Sequence, residues 1–491
     1  MHNLKLYNTL SRNIESFNSI IPGKVGMYVC GPTVYGPPHL GHVRGPIVFD
    51  VFRRLLLKKG YQVRFVRNIT DVGHLVGDAD EGEDKLQKQA RLEQVEPMEV
   101  AQAYTDSYNW VMDAMNVMRP SIEPKASGHI IEQIEMIQAI IESGLAYEAN
   151  GSVYFDVDAY QKEHHYGKLS GRVLDDLMAG AGNASRELEG QSEKRSAHDF
   201  ALWKKASPEH IMQWSSPWGK GFPGWHIECS AMSAKYLGSE FDIHGGGMDL
   251  LFPHHECEIA QSTAAHKHEP ARYWMHHNMI TINGQKMAKS LNNGIKVSEL
   301  FEGNHPLLSR GFGPNTLRFF VLQAHYRSTL DFSEEALEAS EKGLKRLLEA
   351  FKKIGSIEAG KESTFDISAV INALDNALLE DLNTPIAIAQ FFELAKYINM
   401  ASDKKASFTA EDIALIKAVV SDYFEGILGL QSEAQADNNS AMNEVMEILI
   451  QLRGEAKQDK NYALSDAIRN RLKDKGIELM DSKEGTTWKL S

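Results

Sequence analysis

Between Val25 and Ile69 two short apolar runs flank a helical segment, and no other stretch constrains the architecture as much. VGMYVCG (25–31) reads as a buried strand that ends in glycine. After the turn-rich TVYGPP, the apolar spacing from His39 to Lys59 is helical, and QVRFVRNI (62–69) reads as the next strand. Strand, Gly/Pro turn, helix and strand make a βαβ unit, the building block of a parallel doubly wound sheet. Ligands of such sheets sit beyond the carboxyl ends of the strands, where Cys30 and Thr70 fall.

At 491 residues the chain is too long for one core, and roughly 100–200 residues per domain predicts about three or four domains. After residue 122 the pattern changes to an amphipathic helix near His129 to Ser143 and a strand at SVYFD (152–156). The glycine- and charge-rich stretch MAGAGNASRELEGQSEKRSAHD then reads as a loop or linker. Around Gly224 the sheet pattern resumes, with a helix across Trp225 to Leu237 and a strand from Glu240 to His244 that runs into GGG. From Pro314 onward apolar residues recur at three-and-four spacing, as in a helical bundle.

The expected fold is therefore α/β: a split Rossmann-like parallel sheet with an insertion, followed by an α-helical bundle and a small C-terminal module. Residues 1–122 and 210–265 are read as the two halves of the sheet domain, 123–209 as the insertion and 266–312 as a connecting region. Residues 313–407 are read as the bundle and 408–491 as the last module, which closes on a hairpin over GIELMDSKEGTTWKL.

Composition excludes several classes. No apolar run approaches the roughly 18 residues that span a bilayer, and the N-terminus lacks the basic-then-apolar layout of a secretion signal, so a cytoplasmic protein is expected. Three cysteines cannot staple so long a chain, and they fit a reducing compartment where thiols serve metals or chemistry. A net charge of −14 is unlike a protein that coats nucleic acid, although RNA contact needs only a local basic surface.

Two short strings suggest a nucleotide pocket. HLGH (39–42) follows Pro37 and Pro38, and proline suits a helix start because its missing N–H would be unsatisfied there. His39 and His42, three apart, share a face at the positive end of a helix dipole, while Gly41 lets a base or ribose approach backbone. KMAKS (286–290) follows TINGQ, a turn at a strand end, and Lys286 and Lys289 would both reach a triphosphate and stabilise departing pyrophosphate. Either string alone reads most simply as a solvated surface turn. The pair, in this order behind a βαβ unit, does not.

Cys30, Cys229, His254 and Glu258 come from three distant parts of the chain and could close one tetrahedral metal site. His254 and Glu258, four apart, share a helix face, and two thiolates, an imidazole and a carboxylate favour zinc over magnesium or calcium. His255, Glu256 and Cys257 are nearby alternatives, but regular helix geometry turns His255 and Cys257 about 100° and 60° from the 254/258 stripe. Cys257 is read as plain core.

HLGH with KMAKS resembles the HIGH and KMSKS signatures of class I aminoacyl-tRNA synthetases. MYVCGPTVYGPPHLGH, NITDVGH, GWHIECSAM and FDIHGGGMDLLFPHHE resemble in particular the cysteinyl members of that family, and the similarity runs the length of the chain. Leu40 replaces isoleucine trivially; Ala288 removes a hydroxyl from the lysine loop; Cys257 stands where asparagine is expected.

The resemblance implies a cysteine–tRNA ligase. L-Cysteine would attack the α-phosphorus of Mg2+-bound ATP to give cysteinyl-adenylate and pyrophosphate, and a hydroxyl of the terminal adenosine of tRNA(Cys) would then take the cysteinyl group. One Zn2+ per chain, on Cys30, Cys229, His254 and Glu258, would select the substrate, because a thiol ionises on a metal far more readily than a hydroxyl. It also implies that Thr70 faces the substrate carboxylate, Trp225 and His244 wall the amino-acid pocket, Gly245, Gly246 and Gly247 admit adenosine, and Asp249 lies beside the ligand. The helices beyond residue 313 would carry the tRNA, with Trp488 and the basic residues between Arg453 and Lys475 as an anticodon surface. A monomer is expected.

Two other readings fit parts of the pattern: an ATP-dependent ligase that hands cysteine to an amino-sugar, and a silent zinc- and RNA-binding relative. The helical tail argues against the first; intact His39, His42, Lys286 and Lys289 argue against the second.

Overall fold

The computed structural model describes residues 4–72, 85–93, 95–172, 193–208, 210–287, 293–431, 433–459, 461–473, 475, 477–482 and 485–490. Most of the glycine-rich stretch read as a linker, together with Ala288, Lys289 and Ser290 of the lysine motif, lies outside them.

Four parallel strands form the central sheet, in the order Ala271–His277, Phe241–Gly247, Lys24–Val29, Gln62–Arg67. Their side chains alternate between two covered faces, as a parallel sheet requires. Val25, Met27, Val29 and Phe65 pack in one core with the helix Arg44–Lys58, while Tyr28 and Val66 pack in another with Cys229 and Met232 of the helix Ile227–Leu237. From the strand Lys24–Val29 the chain moves first to one neighbour and later to the other. The order therefore reverses beside that strand, and a crevice opens at its carboxyl end.

The insertion is an antiparallel sheet of five strands, in the order Ala146–Ala149, Ser152–Phe155, Phe200–Lys205, Gly219–Pro223, Trp214–Ser216. It runs past the expected end at residue 209, because Trp203, Lys204 and Lys205 pair with Pro223, Phe222 and Gly221. GGG is the end of a central strand and not a turn.

The helices Pro314–Leu322, Glu334–Lys353, Ile367–Leu379 and Thr384–Ser402 start on proline at the first turn or on a side-chain cap from Ser333, Asp366 or Asn383. A helix start does occur between Phe408 and Asp412 as expected, with Thr409 capping Ala410–Val419. It does not divide the structure, since Ile416, Val419, Phe424 and Leu430 are buried in the same core as the preceding helices. By contacts the compact units are 1–430 and 431–491.

The second unit holds the helices Glu433–Gln458 and Tyr462–Lys473 and the expected hairpin, Ile477–Ser482 against Gly485–Leu490. Met446, Ile477 and Leu479 form its core, with Trp488 packed against them. Arg453 is only 3% exposed, so it supports this unit from inside and does not belong to a basic surface. Among the described residues no helix is long and apolar enough to cross a membrane.

Candidate active site and metal centre

The crevice is a cavity of about 420 Å3 lined by Cys30, His39, Gly41, His42, Thr70, Trp225, Cys229, Gly246, Gly247, Asp249, His254 and Lys286. Backbone pairing sets its rim: the Cys30 N–H donates to the Gly245 carbonyl at 3.1 Å, and the Thr70 N–H to that of Pro32 at 3.1 Å. Two expected residues stand back from it. Gly245 leaves room for the Phe49 ring, which would lie 2.3 Å from a Cβ there, so this glycine serves packing of helix on sheet. His244 is fully buried, stacks on Trp274 with ring centroids 4.3 Å apart, and meets Glu258 instead of walling the cavity.

Cys30, Cys229, His254 and Glu258 converge, with every ligand atom within 4.8 Å of the others. The two sulfurs are 3.7 Å apart, Cys30 Sγ is 3.6 Å from Glu258 Oε1, and His254 Nε2 is 3.1 Å from the same oxygen. A tetrahedral ion with Zn–S of about 2.3 Å and Zn–N and Zn–O of about 2.0–2.1 Å needs edges of about 3.8, 3.6 and 3.3 Å. The donor set therefore fits zinc in chemistry and in spacing. His255 is a fifth donor, with Nε2 3.4 Å from Cys30 Sγ, and Cys30, His244, His255 and Glu258 make a second compatible group. The expectation that His255 is turned away is thereby corrected. His255 precedes Glu258 by three residues, and residues three apart are also neighbours on a helix, which brings its Nε2 to 4.0 Å from Glu258 Oε1. We favour the first group because it has two thiols and the second only one. Cys257 lies in apolar core with its sulfur 3.3 Å from Tyr166 Oη, as expected.

A histidine network supports the candidate ligands. His226 Nδ1 lies 2.8 Å from His254 Nδ1, His244 Nε2 2.8 Å from Glu258 Oε2, and His255 Nδ1 2.8 Å from His276 Nε2. Such partners orient metal ligands and set which ring nitrogen is free. Desolvation, then the bond to Cys229, pushes Cys30 well above the ordinary thiol range. Burial also opposes ionisation of Cys229, but the hydrogen bond from Cys30 and the neighbouring His254 bring it down to about 6. For His254 burial is outweighed by Cys229 and Glu258, which raise it to about 10.

HLGH is a separate 3-10 turn, Leu40–His42, and the α-helix expected from His39 begins at Arg44. The two histidines do face together, with rings 3.9 Å apart. His39 Nδ1 accepts from the Gly41 N–H, and the His39 N–H donates to His42 Nδ1, each at 3.1 Å. Desolvation and His39 hold His42 neutral, at about 3. The lysine motif and the segment after it approach this turn: Met287 Cε would lie 3.1 Å from a Cβ on Gly41, Val297 N–H donates to Pro38 C=O, and Leu40 N–H to Ile295 C=O. Lys286 is exposed on a hairpin, Ile280–Ile282 against Gln285–Lys286, whose turn residues Asn283 and Gly284 have φ of 49° and 75°. Lys289 lies outside the described residues.

Sequence reasoning missed three buried polar groups. Glu228 accepts from the Thr70 hydroxyl at 2.7 Å, and Asn68 Nδ2 donates to the same oxygen at 3.1 Å. Arg44 is 1% exposed under the nucleotide motifs. Only adjacency to HLGH and to Cys229 marks Arg44 and Glu228 in the sequence.

The family model "tRNA synthetases class I (C) catalytic domain" matches residues 16–342, and the DALR domain matches residues 373–431. Cysteine–tRNA ligase of Bacteroides fragilis is 55% identical over 492 residues, covering 100% of this chain and 99% of the relative. That of Phocaeicola vulgatus is 57% identical over 495 residues, covering 99% of each. Among solved structures, Mycobacterium tuberculosis methionyl-tRNA synthetase with methionyl-adenylate matches at TM-score 0.54 and 14% identity, over 82% of this chain and 89% of that one. The Agrobacterium radiobacter K84 agnB2 LeuRS–tRNA–LeuAMS complex matches at TM-score 0.58 and 13% identity, over 83% and 85%. These two distant likenesses concern the fold, whereas the full-length identity above 50% carries further: the chain belongs to the cysteine–tRNA ligase family of class I aminoacyl-tRNA synthetases.

Proposed function

We propose that the cavity binds L-cysteine and Mg2+-bound ATP, forms cysteinyl-adenylate and pyrophosphate, and passes the cysteinyl group to the terminal adenosine of tRNA(Cys). The observation that carries this reading is the meeting of a two-thiol donor set and the HLGH turn in one cavity. No protein nucleophile is needed, so positioning and charge dominate.

Cys30, Cys229, His254 and Glu258 would hold zinc, one per chain, and when bound it supplies a soft Lewis acid for the substrate thiolate that discriminates against serine. Trp225 covers the amino acid, with its ring 4.8 Å from that of His254. Thr70 presents an oxygen whose other contacts are taken by Asn68 and Glu228. His42, neutral and pinned to the His39 backbone, offers a ring N–H to ATP without adding a positive charge beside its phosphates. Gly41, Gly246 and Gly247 line the part of the cavity assigned to the nucleoside, Asp249 lies beside it, and Lys286 with Lys289 balances the charge of departing pyrophosphate. A working monomer is part of this reading, and the three free cysteines suit the cytoplasm. The unit 431–491 is assigned to the anticodon, and the basic side chains of Tyr462–Lys473 are its candidate contacts. A ligase for an amino-sugar is not favoured, since it has no use for the DALR segment at 373–431.

A charging assay that offers cysteine and serine side by side, with zinc counted on the same sample, tests the reading. About one zinc per chain and charging with cysteine alone are expected. Equal charging with serine, or full activity without zinc, overturns it.

A further inference from the structure

Arg44 is the first residue of the helix that follows the HLGH turn, and its side chain is almost wholly buried. Its guanidinium donates to four backbone carbonyls. Nη1 reaches Asn278 at 3.0 Å and Met279 at 2.8 Å, and Nη2 reaches His325 at 2.9 Å and Ser328 at 2.5 Å.

Those carbonyls sit at the roots of the lysine hairpin. Asn278 and Met279 link the last strand of the central sheet, Ala271–His277, to Ile280–Ile282, which leads through the turn to Lys286. His325 and Ser328 lie in the segment before Leu330–Phe332, the strand that pairs in parallel with Ile280–Ile282. The same segment is gripped from its far side: Asp381 accepts from Tyr326 Oη at 2.5 Å and from Arg327 Nε at 2.7 Å. One planar fork thus joins the helix start behind the nucleotide turn to the roots of Ile280–Ile282, which leads into the Lys286 hairpin, and of its parallel neighbour Leu330–Phe332.

We propose that Arg44 is a positioning residue for the ATP step, fixing the distance between the HLGH turn and the Lys286 hairpin. The proposal rests on the ATP-activating role inferred for these two motifs. A guanidinium is the side chain suited to the task, because its rigid fork satisfies four diverging carbonyls at once, whereas an ammonium has three donors on one atom. Burying a charge with only carbonyls as hydrogen-bond partners is costly, and desolvation brings the group down to about 10. A packing residue of equal volume would avoid that cost but leave the strand roots unsatisfied and free to shift. The cysteine-binding side chains Cys30, Thr70, Trp225 and Cys229 are not among the partners of Arg44.

The experiment compares ATP–pyrophosphate exchange by the full-length parent, R44K and R44M. Both variants are expected to lose about 10- to 100-fold in kcat/KM for ATP, the scale set by roughly 1 Å of misplacement, while KM for cysteine and zinc content stay within about twofold. In R44A, millimolar ethylguanidinium is expected to restore part of the ATP-dependent rate. Folded variants with unchanged ATP parameters, or with ATP and cysteine parameters falling in parallel and no guanidinium rescue, overturn the proposal. If the variants fail to fold, hydrogen exchange of the parent decides: amides of Ile280–Ile282 must be as protected as those of Arg44–Lys58, and fast exchange there overturns it. A parent that gives no exchange activity would instead sink the reading of the site itself.

Discussion

The Asp50 carboxylate and the Arg318 guanidinium meet at 2.5 Å, with both side chains only 1% exposed and 268 positions apart in sequence. Asp50, on the helix behind the nucleotide turn, also accepts from Arg54 Nε at 2.8 Å and the Met118 N–H at 2.9 Å. Arg318 donates further to the carbonyls of Leu428 at 2.7 Å and Met115 at 2.9 Å. The pair therefore ties the sheet domain to the last residues of the helical segment. Removing one partner strands a buried charge, so R318M is expected to lose about 3–5 kcal/mol, and the double variant R318M/D50N less than R318M alone. Urea unfolding followed by tryptophan fluorescence measures both; a loss below about 1 kcal/mol for R318M would remove the pair from this role.

Cys229 and Cys257 give opposite expectations although both are buried. C229A removes one corner of the donor tetrahedron, so bound zinc should fall from about one per chain to near zero, with loss of cysteine charging. C257A deletes only a sulfur in apolar core beside Tyr166, and zinc content should not change. Metal analysis of the two purified variants checks the pair.

The donor set also predicts how metal binding depends on pH. With Cys229 at about 6 it is largely ionised at neutral pH, whereas Cys30, pushed up, and His254, at about 10, still carry protons. A divalent ion must displace those two, so affinity rises with pH, by about 100-fold per unit between pH 7 and 8, and falls more steeply below about 6, where Cys229 protonates as well. Titrating zinc into weakly buffered metal-free protein at pH 7.5 should release about two protons per ion. Release of none would mean that the thiols and imidazole are not the ligands.

His276 makes a separate prediction about stability. Only 3% exposed, it is held neutral by burial and by His244 and His277, at about 3. The unfolded chain takes up a proton near pH 6.5 that the folded site refuses, so this contribution is complete above about 6.5 and is lost as pH falls towards 3. The urea midpoint should decline over that window, and more gently in H276N; equal slopes for parent and variant would exclude the group.

Most of the site was legible because its groups are sequence-local or chemically rare. Cys30, Cys229, His254 and Glu258 were singled out by donor chemistry, one helical spacing and the family resemblance together, and the strand–turn–helix order placed Cys30 at a ligand-binding edge. His255 was misplaced because only the four-residue spacing was counted as one helix face, whereas residues three apart meet as well. His244 and Gly245 drew attention through their motif, yet strand alternation turns both into packing, against Trp274 and Phe49. Arg44 and Arg318 were invisible for a different reason: their partners are backbone carbonyls and a carboxylate from remote segments, and no local pattern encodes those.

Gly31 tests how tightly the rim of the cavity is built. A Cβ on this residue would lie 1.7 Å from the Asn68 carbonyl oxygen, a contact with backbone that no rotamer relieves. The Gly31 N–H also donates to Asn68 Oδ1 at 2.8 Å, and Asn68 in turn holds the Thr70 hydroxyl. Any larger residue must push the two strand ends apart by about 1 Å or more, which moves Cys30 away from Thr70 and costs on the order of 100-fold in kcat/KM. G31A is therefore expected to raise KM for cysteine and weaken zinc retention together, because both depend on where Cys30 stands. A Cβ on Gly294 would meet nothing within 4 Å, so G294A is the matched control and should leave both unchanged. Steady-state exchange kinetics and metal content of the two variants decide the matter: if G31A binds cysteine and zinc like the parent, the close approach of the strand ends does not set the geometry of the site.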